Sequence, residues 1–448
     1  MKQLFGTFGV RRIANTVLTP EFASKIAAAY GTKVKGTIAI GSDPRTSSEM
    51  IKHAVTAGLL SAGCDVVDLG MLPTPAVQYA VRQYYDGGIM ITASHNPPKY
   101  NGLKLLDSDG IGTPDELEEE IEDIMDSDEK LSMLTAVAEK IGVAENREDM
   151  INDYIDFIVG IFHSAITQNI DSDFKVLIDT ANGATYSVAD KIYSRLGINH
   201  DIINNTPDGV NINAGCGSTH LEMLKEKVVE GKYSLGIAYD GDGDRCLAVD
   251  ENGEEIDGDI MMAIASKYLK AKGKLSKDTV VATVMSNLGF NKYCEGEGLT
   301  FKQTKVGDRY VLEEMLKEGY NLGGEQSGHI IYLDYNPTGD GILTSLMLVQ
   351  ILLETKQKPS EAKKIIKIYP QVLINAKVNS DKKNDYESDP EIKKAIDKLT
   401  EEFSGNGRVL IRPSGTEPLV RVMIEGEDQE VITKKARELA DLIEAKLK

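Results

Sequence analysis

The sequence predicts an α/β protein of several domains, strand–helix units along most of its length and a last unit of mixed strands and helices. Length is the first reason: 448 residues exceed one core, and length alone suggests about three domains. The second is rhythm. Short apolar runs of β type alternate with amphipathic helical stretches, an order that a parallel sheet satisfies. The third is where the runs stop. Those at 88–92, 175–179 and 233–239 end in polar turns, the carboxyl-end position at which open α/β sheets bind ligands.

Taken in order, the chain opens with Phe5-Gly6-Thr7-Phe8-Gly9-Val10-Arg11-Arg12, two glycines among small and basic residues, read as a loop whose backbone approaches an anion. A helix runs to residue 30 with Thr19 as N-cap and Pro20 at its first position. Strands follow at 37–41 and 65–69, helices at 49–62 and from Thr74, and then the strand that runs into Ser94. Pro97 and Pro98 forbid that strand from continuing. Thr113-Pro114-Asp115-Glu116 has capping-box spacing, and Leu117, Ile121, Ile124 and Met125 share one helix face with acids around it as a solvated face. A helix at 150–162 leads to the second unit, with strands at 175–179 and 233–239 and a resumed strand at 246–249. The turn Asp250-Glu251-Asn252-Gly253 reads as a boundary. The third unit has a strand at 279–285 and an apolar helix at 342–353, and Ile368-Tyr369-Pro370 reads as a hinge. The last unit has strands at 373–378, 408–411 and 419–425, and a closing helix with Ile432, Leu439, Ile443 and Leu447 on one face. The first three units share a rhythm without a demonstrable sequence repeat.

Composition excludes some functions. Fifty basic residues against 70 acidic ones leave a net charge of −20, which argues against a general nucleic-acid or membrane-surface binder. An anionic small substrate would need its cations gathered locally. The first residues lack the apolar core of a signal peptide, and no apolar run reaches the roughly 18 residues that span a bilayer. Cys64, Cys216, Cys246 and Cys294 form no CxxC pair, so neither a disulfide framework nor a zinc ribbon is signalled and a reduced cytoplasm fits.

Asp240-x-Asp242-x-Asp244 is the most informative cluster. Three carboxylates at alternate positions call for a hard divalent cation, and oxygen-only ligation by few protein groups suits Mg²⁺. An EF-hand needs Gly at the sixth position, where Arg245 stands, and the flanks are strands rather than helices. Arg412-Pro413-Ser414-Gly415-Thr416 has the makings of a phosphate cradle: a guanidinium fork, hydroxyls, and a glycine that lets backbone N–H groups approach. Gly324-Glu325-Gln326-Ser327-Gly328-His329 suits a hydroxyl-rich ligand. There is no P-loop, no GxGxxG after the first strand and no serine-hydrolase elbow. A serine carrying a phosphoryl group next to a divalent ion would use all of these parts.

Thr92-Ala93-Ser94-His95-Asn96-Pro97, Asp240 to Arg245, Gly324 to His329 and Arg412 to Pro418, in this order, make the chain resemble the α-D-phosphohexomutase superfamily along essentially its whole length. The resemblance implies three related α/β domains with mixed, mainly parallel sheets and a C-terminal α+β domain around a central active-site cleft, divided at 1–148, 149–251, 252–368 and 369–448. It implies Ser94 as phosphoserine, and Asp240, Asp242, Asp244 and the Ser94 phosphate around one Mg²⁺ per chain. It further implies Glu325 and Ser327 as readers of sugar hydroxyls, and Arg412, Ser414, Gly415, Thr416 and Arg421 as binders of the distal phosphate. Arg245 and Arg11 join the site as arginines. His95, Lys104, Lys305 and His329 are alternative general bases, and His95 alternatively only orients the loop.

Asn211-Ile212-Asn213 with Cys216 to His220, Val306 to Arg309 and Gln326 resemble the phosphoglucosamine mutase branch of that superfamily. The implied reaction interconverts glucosamine 6-phosphate and 1-phosphate through a hexosamine 1,6-bisphosphate, feeding UDP-N-acetylglucosamine synthesis, with that bisphosphate or glucose 1,6-bisphosphate as intermediate or activator. Phosphomannomutase, phosphoglucomutase or broad hexose-phosphate mutase activity is the alternative, and a phosphosugar phosphatase the remote one. The expected partner is a small sugar phosphate, with neither nucleic acid nor membrane and with a homodimer left open. The opening loop departs from the family pattern Phe-Gly-Thr-Asp-Gly-Ile-Arg-Gly: Phe8 replaces the Asp and Arg12 the last Gly, while Arg11 keeps the family arginine.

Overall fold

The computed structural model describes residues 4–6, 8–133, 135–414 and 417–448. They form two compact units, Met1–Met285 with Gly298–Ile365, and Ser286–Glu297 with Ile366–Lys448.

The larger unit holds three sheets. The first contains β1 (Val10–Ile13), β2 (Thr37–Ser42), β3 (Asp65–Met71), β4 (Gly87–Ile91), β5 (Tyr100–Leu106) and β6 (Ala144–Asn146), in the order β1-β5-β4-β2-β3-β6. The second contains β7 (Lys175–Asp179), β8 (Asn199–Ile203), β9 (Leu235–Tyr239), β10 (Cys246–Asp250) and β11 (Glu255–Ile256), in the order β11-β10-β9-β7-β8. The third contains β12 (Thr279–Thr283), β13 (Thr300–Thr304), β14 (Leu322–Gly324) and β15 (Ile330–Tyr332), in the order β13-β12-β14-β15.

One plan recurs. β4 pairs in parallel with β2, β9 with β7, and β14 with β12. Each then turns back into an antiparallel partner: β5, β10 or β15. The Ser94 loop, the Asp240 loop and the Glu325 loop are these three hairpin connections, so each sheet delivers one loop from the carboxyl end of a buried strand. The sheets are mixed and their centres parallel.

Helices cover the first sheet over a core of Ile26, Tyr30, Ile38, Ile40, Ile51, Leu59, Ile89 and Leu105. Thr19 caps the helix Pro20–Val34 by accepting from Phe22 N. The helix Gly341–Thr355 is buried along nearly its whole length, and Asp340 caps it at Leu343 N. Among the described residues no helix is long and apolar enough to cross a membrane.

Several expectations are corrected. Val10–Ile13 is not loop but an edge strand paired with β5, because main-chain pairing does not depend on the polarity of Arg11 and Arg12. The box at Thr113 does not form. The helix Asp115–Met125 starts after Pro114, and no side chain caps it. Its acids are not all solvated either, since Glu118 is buried beside Arg309. The turn at Asp250 also closes a hairpin within the second sheet, β10 onto β11.

The smaller unit is α+β. β16 (Gln371–Lys377), β17 (Arg408–Pro413) and β18 (Leu419–Glu425) form an antiparallel sheet in the order β16-β18-β17. The helix Gln429–Leu447 buries Ile432, Ala436, Leu439, Ile443 and Leu447 against it, and Asp428 caps its first turn. Tyr369, read as part of a hinge, is buried, with Asn287 bonded to its N–H and its carbonyl at 3.0 and 2.9 Å. Both residues belong to the smaller unit.

Candidate active site

β4 is apolar and buried at every position, and it ends at Thr92-Ala93-Ser94. Ser94 is 1% exposed and has φ of +51°, a left-handed conformation that few non-glycine residues take. Its N–H donates to Thr92 Oγ1 at 2.9 Å, and its Oγ donates to Asp240 Oδ2 at 2.6 Å. His95 Nδ1 lies 3.2 Å from that Oγ and 3.1 Å from Arg245 Nη1. Burial, then the charges of Arg245 and Arg11, push the His95 imidazole down to about 4, so it is neutral near pH 7.

Asp240, Asp242 and Asp244 are buried in the β9–β10 connection, each with a carboxylate oxygen within 4.8 Å of the others. Lys104 on β5, 1% exposed, places Nζ 2.6 Å from Asp242 Oδ2 and 2.7 Å from Asp244 Oδ2. Burial alone would lower its pKa, but the two carboxylates outweigh burial and raise it. Burial and Asp244 push Asp242 up, yet Lys104 and Thr74 bring it below its ordinary value. Against the same burial, Lys104 and His329 take Asp244 well below. Asp240, which Lys104 does not touch, is held well above the carboxylate range by burial and its two acidic neighbours.

Asp242 Oδ1 and Asp244 Oδ1 are buried and accept no hydrogen bond. Orphaned carboxylate oxygens beside a third carboxylate are the donor set a hard divalent cation takes, so the residues present fit a metal ion. A metal supplies Lewis-acid charge neutralisation at such a site.

The β14–β15 connection is stitched to this cluster. Cys246 N donates to Gly328 O at 3.0 Å, and a Cβ on Gly328 would stand 2.1 Å from Cys246 O. Glu325 accepts from Gly307 N at 3.2 Å, and Glu325 and Ser327 are half-buried. His329 Nε2 accepts from Gly339 N at 3.0 Å, which leaves Nδ1 3.9 Å from Asp244 Oδ2. Despite burial, Asp244 raises the His329 pKa. Arg11 is half-buried on β1 and close enough to His95 and Lys104 to bear on both. Lys305 stands apart: it is exposed with Nζ over the Tyr310 ring, and among the described residues nothing joins it to Ser94 or the aspartates.

In the smaller unit, Arg412 on β17 and Arg421 on β18 are cross-strand partners. Like charges directly opposite one another are destabilising. Burial, then Arg421, lowers the Arg412 pKa, and Arg421 Nε is buried without a hydrogen bond among the described residues. Ser414 is buried at the turn, and its Oγ accepts from Glu417 N at 3.3 Å. Two forks on one hairpin with a spare donor suit an anion with several oxygens. Gly415 and Thr416 lie outside the described residues.

Four family models match in succession. The phosphoglucomutase/phosphomannomutase alpha/beta/alpha domains I, II and III match residues 2–132, 152–253 and 257–369, and the C-terminal domain of the same family matches 373–442. The chain belongs to the phosphoglucomutase/phosphomannomutase family. It is 50% identical over 454 residues to a phosphoglucosamine mutase of Ruminiclostridium cellulolyticum and 51% identical over 453 residues to one of Clostridium acetobutylicum, each pair covered over 100% of both chains. A family member from Burkholderia thailandensis has the same fold, with a TM-score of 0.80 at 22% identity over 99% of this chain and 98% of that one. So does Aspergillus fumigatus N-acetylphosphoglucosamine mutase, solved in complex with GlcNAc-6P and magnesium, with a TM-score of 0.66 at 17% identity over 99% and 96%.

Within this family member, Thr74 and Lys383 escaped sequence reasoning. Thr74 opens the helix Thr74–Tyr84 and binds the Asp240 loop twice, through Oγ1 to Asp242 Oδ2 at 2.5 Å and through N–H to Asp242 O at 2.8 Å. A threonine heading a helix at a sheet's carboxyl end was the available signal. Lys383 donates to Ser414 O at 3.0 Å, and nothing in its lysine-rich surroundings marks it.

Proposed function

We propose that this chain interconverts glucosamine 6-phosphate and glucosamine 1-phosphate by passing a phosphoryl group to and from Ser94. The observation that carries the reading is Ser94 Oγ at 2.6 Å from an aspartate of a buried triad, in a chain whose relatives at 50% identity are phosphoglucosamine mutases. Asp240, Asp242, Asp244 and the serine phosphate would hold one Mg²⁺, which supplies charge neutralisation for the group in flight.

Phospho-Ser94 gives its phosphoryl group to O1 or O6 of the sugar. The phosphorus–Oγ bond breaks while the bond to the sugar oxygen forms, the sugar hydroxyl yields its proton to a base, and Oγ takes a proton up. The resulting 1,6-bisphosphate returns its other phosphoryl group to Ser94, so no water is consumed and the phosphoenzyme is regenerated. Glucose 1,6-bisphosphate can charge the serine by the same exchange. Arg245, 3.1 Å from His95 Nδ1, offsets charge on the transferring group. His95, 3.2 Å from Ser94 Oγ, is placed to exchange a proton with the serine oxygen, and the base for the sugar hydroxyl comes from among His95, Lys104, Lys305 and His329. Glu325 and Ser327 read the sugar hydroxyls, while Arg412, Ser414, Gly415, Thr416 and Arg421 hold the phosphate that is not moving. Four domains at 1–148, 149–251, 252–368 and 369–448 belong to the same reading, supported by the four successive family matches.

The test assays wild type and Ser94→Ala with glucosamine, glucose and mannose 6-phosphates and follows inorganic phosphate. We expect a preference for the glucosamine substrate, no net phosphate release and an inactive alanine variant. A preference for mannose or glucose phosphate would move the chain to another activity of its family, and stoichiometric phosphate release would make it a phosphatase.

A further inference from the structure

We propose that Arg45 and Asn213 are positioning residues that clamp the Ser94 loop from two sides and hold Ser94 in its left-handed conformation. The proposal rests on Ser94 as the phosphoryl carrier. A non-glycine residue at φ +51° persists only where its surroundings over-determine it, and here the surroundings can be named.

Arg45 is 2% exposed and spends all five guanidinium N–H groups on this task. Nη2 donates to Ser94 O at 2.9 Å and Asn96 O at 2.8 Å, and Nη1 to Pro97 O at 2.7 Å and Tyr100 O at 3.1 Å. Nε donates to Asp43 Oδ2 at 2.9 Å. With every donor used inside the protein, none is left for a substrate. Asp43 Oδ2 also accepts from Thr92 Oγ1 at 2.7 Å, and Thr92 Oγ1 accepts from Ser94 N. The N–H and the carbonyl of Ser94 are therefore both tied to one buried Asp43–Arg45 pair at the end of β2.

Asn213 acts from the connection between β8 and β9. Its Nδ2 donates to Ser94 O at 2.9 Å and Asn96 O at 3.3 Å, while its own N–H is anchored on Ala181 O at 2.9 Å. Two carbonyls as partners assign the nitrogen to that side of the amide. The Ser94 carbonyl thus receives a guanidinium and an amide together, and turning that peptide breaks both. The clamp faces the metal loop directly: a Cβ on Gly241 would stand 2.6 Å from Ser94 O and 2.7 Å from Asn213 Nδ2. Fixing the carbonyl fixes where Oγ points, toward Asp240, before substrate arrives.

The test uses the full chain as Arg45→Lys and Asn213→Gly. Lysine keeps the charge, but one ammonium cannot span four carbonyls between Ser94 and Tyr100. Glycine removes the amide and suits the φ of +57° at Asn213. We expect kcat to fall roughly a hundredfold in Arg45→Lys and about tenfold in Asn213→Gly, with KM for glucosamine 6-phosphate within about threefold of wild type. Because both act on the carbonyls of Ser94 and Asn96, the double variant loses less than the product of the single losses. Amide hydrogen exchange should quicken at 94–100 and stay unchanged in β2 and β7. Wild-type exchange at 94–100 in both variants, or kcat per folded molecule within about twofold of wild type, overturns the clamp. A wild-type enzyme inactive on glucosamine phosphates would instead overturn the functional reading, and loop exchange would still decide the clamp.

Discussion

Replacing Lys104 by Met tests the electrostatics of the site most sharply. The ammonium is 1% exposed and lies 2.6 and 2.7 Å from carboxylates of Asp242 and Asp244. Methionine fills similar volume but leaves two buried carboxylates without their cation. Breaking a buried pair from one side costs about 3–5 kcal/mol, mostly for the stranded charge. In chelator, the unfolding free energy of the larger unit, read from urea midpoints at unchanged m-value, should fall by that amount. Divalent ion then acts as a substitute cation. A ligand bound to the folded state stabilises by RT ln(1 + [L]/Kd), and the variant has more charge for it to offset. Added Mg²⁺ should therefore stabilise Lys104→Met more than wild type, closing at least about 1 kcal/mol of the gap. Equal stability of the two proteins in chelator, or an identical response to Mg²⁺, would refute the reasoning.

Asp340 is buried, accepts from Tyr154 Oη at 2.9 and 3.0 Å, and is pushed up to about 6 first of all by burial. An acid raised in the fold favours the folded state fully below its unfolded pKa, and that contribution is lost as pH rises toward 6. Two pH units at 1.36 kcal/mol each make Asp340→Asn gain about 2–3 kcal/mol on wild type between pH 4 and 7.5, read from urea midpoints. A pH-independent difference contradicts this. Gly241→Ala drives a methyl into Ser94 O, so kcat should fall roughly a hundredfold with little change in melting temperature, and near-wild-type turnover would show that the loop spacing is not critical.

The chemistry was more legible than its support. Ser94 and the Asp240 triad could be singled out as candidates because each lies in one short polar run after an apolar strand, while Arg412 closes β17. Asp43 and Arg45 also follow a strand, but their partners lie about fifty positions downstream, and no local pattern pairs them. The hairpin shared by three sheets left no sequence repeat, because main-chain pairing sets it and strands as short as Leu322–Gly324 carry no periodicity. Polar strands were the other loss. Arg11 and Arg12 hid β1, and nothing in the polar run Thr300–Thr304 marks a strand until its parallel pairing with β12 is seen. Glu118 showed the converse, an acid in an acidic helix buried by an arginine nearly two hundred residues away.

The most direct measurement follows labelled phosphate on Ser94. The enzyme is charged with labelled glucose 1,6-bisphosphate, freed of it, and mixed with glucosamine 6-phosphate and Mg²⁺ for a single turnover. Label should leave Ser94 for glucosamine 1,6-bisphosphate and reach the 1-phosphate product, with none in Ser94→Ala. Label released as inorganic phosphate, or retained on Ser94 while product forms, would contradict it.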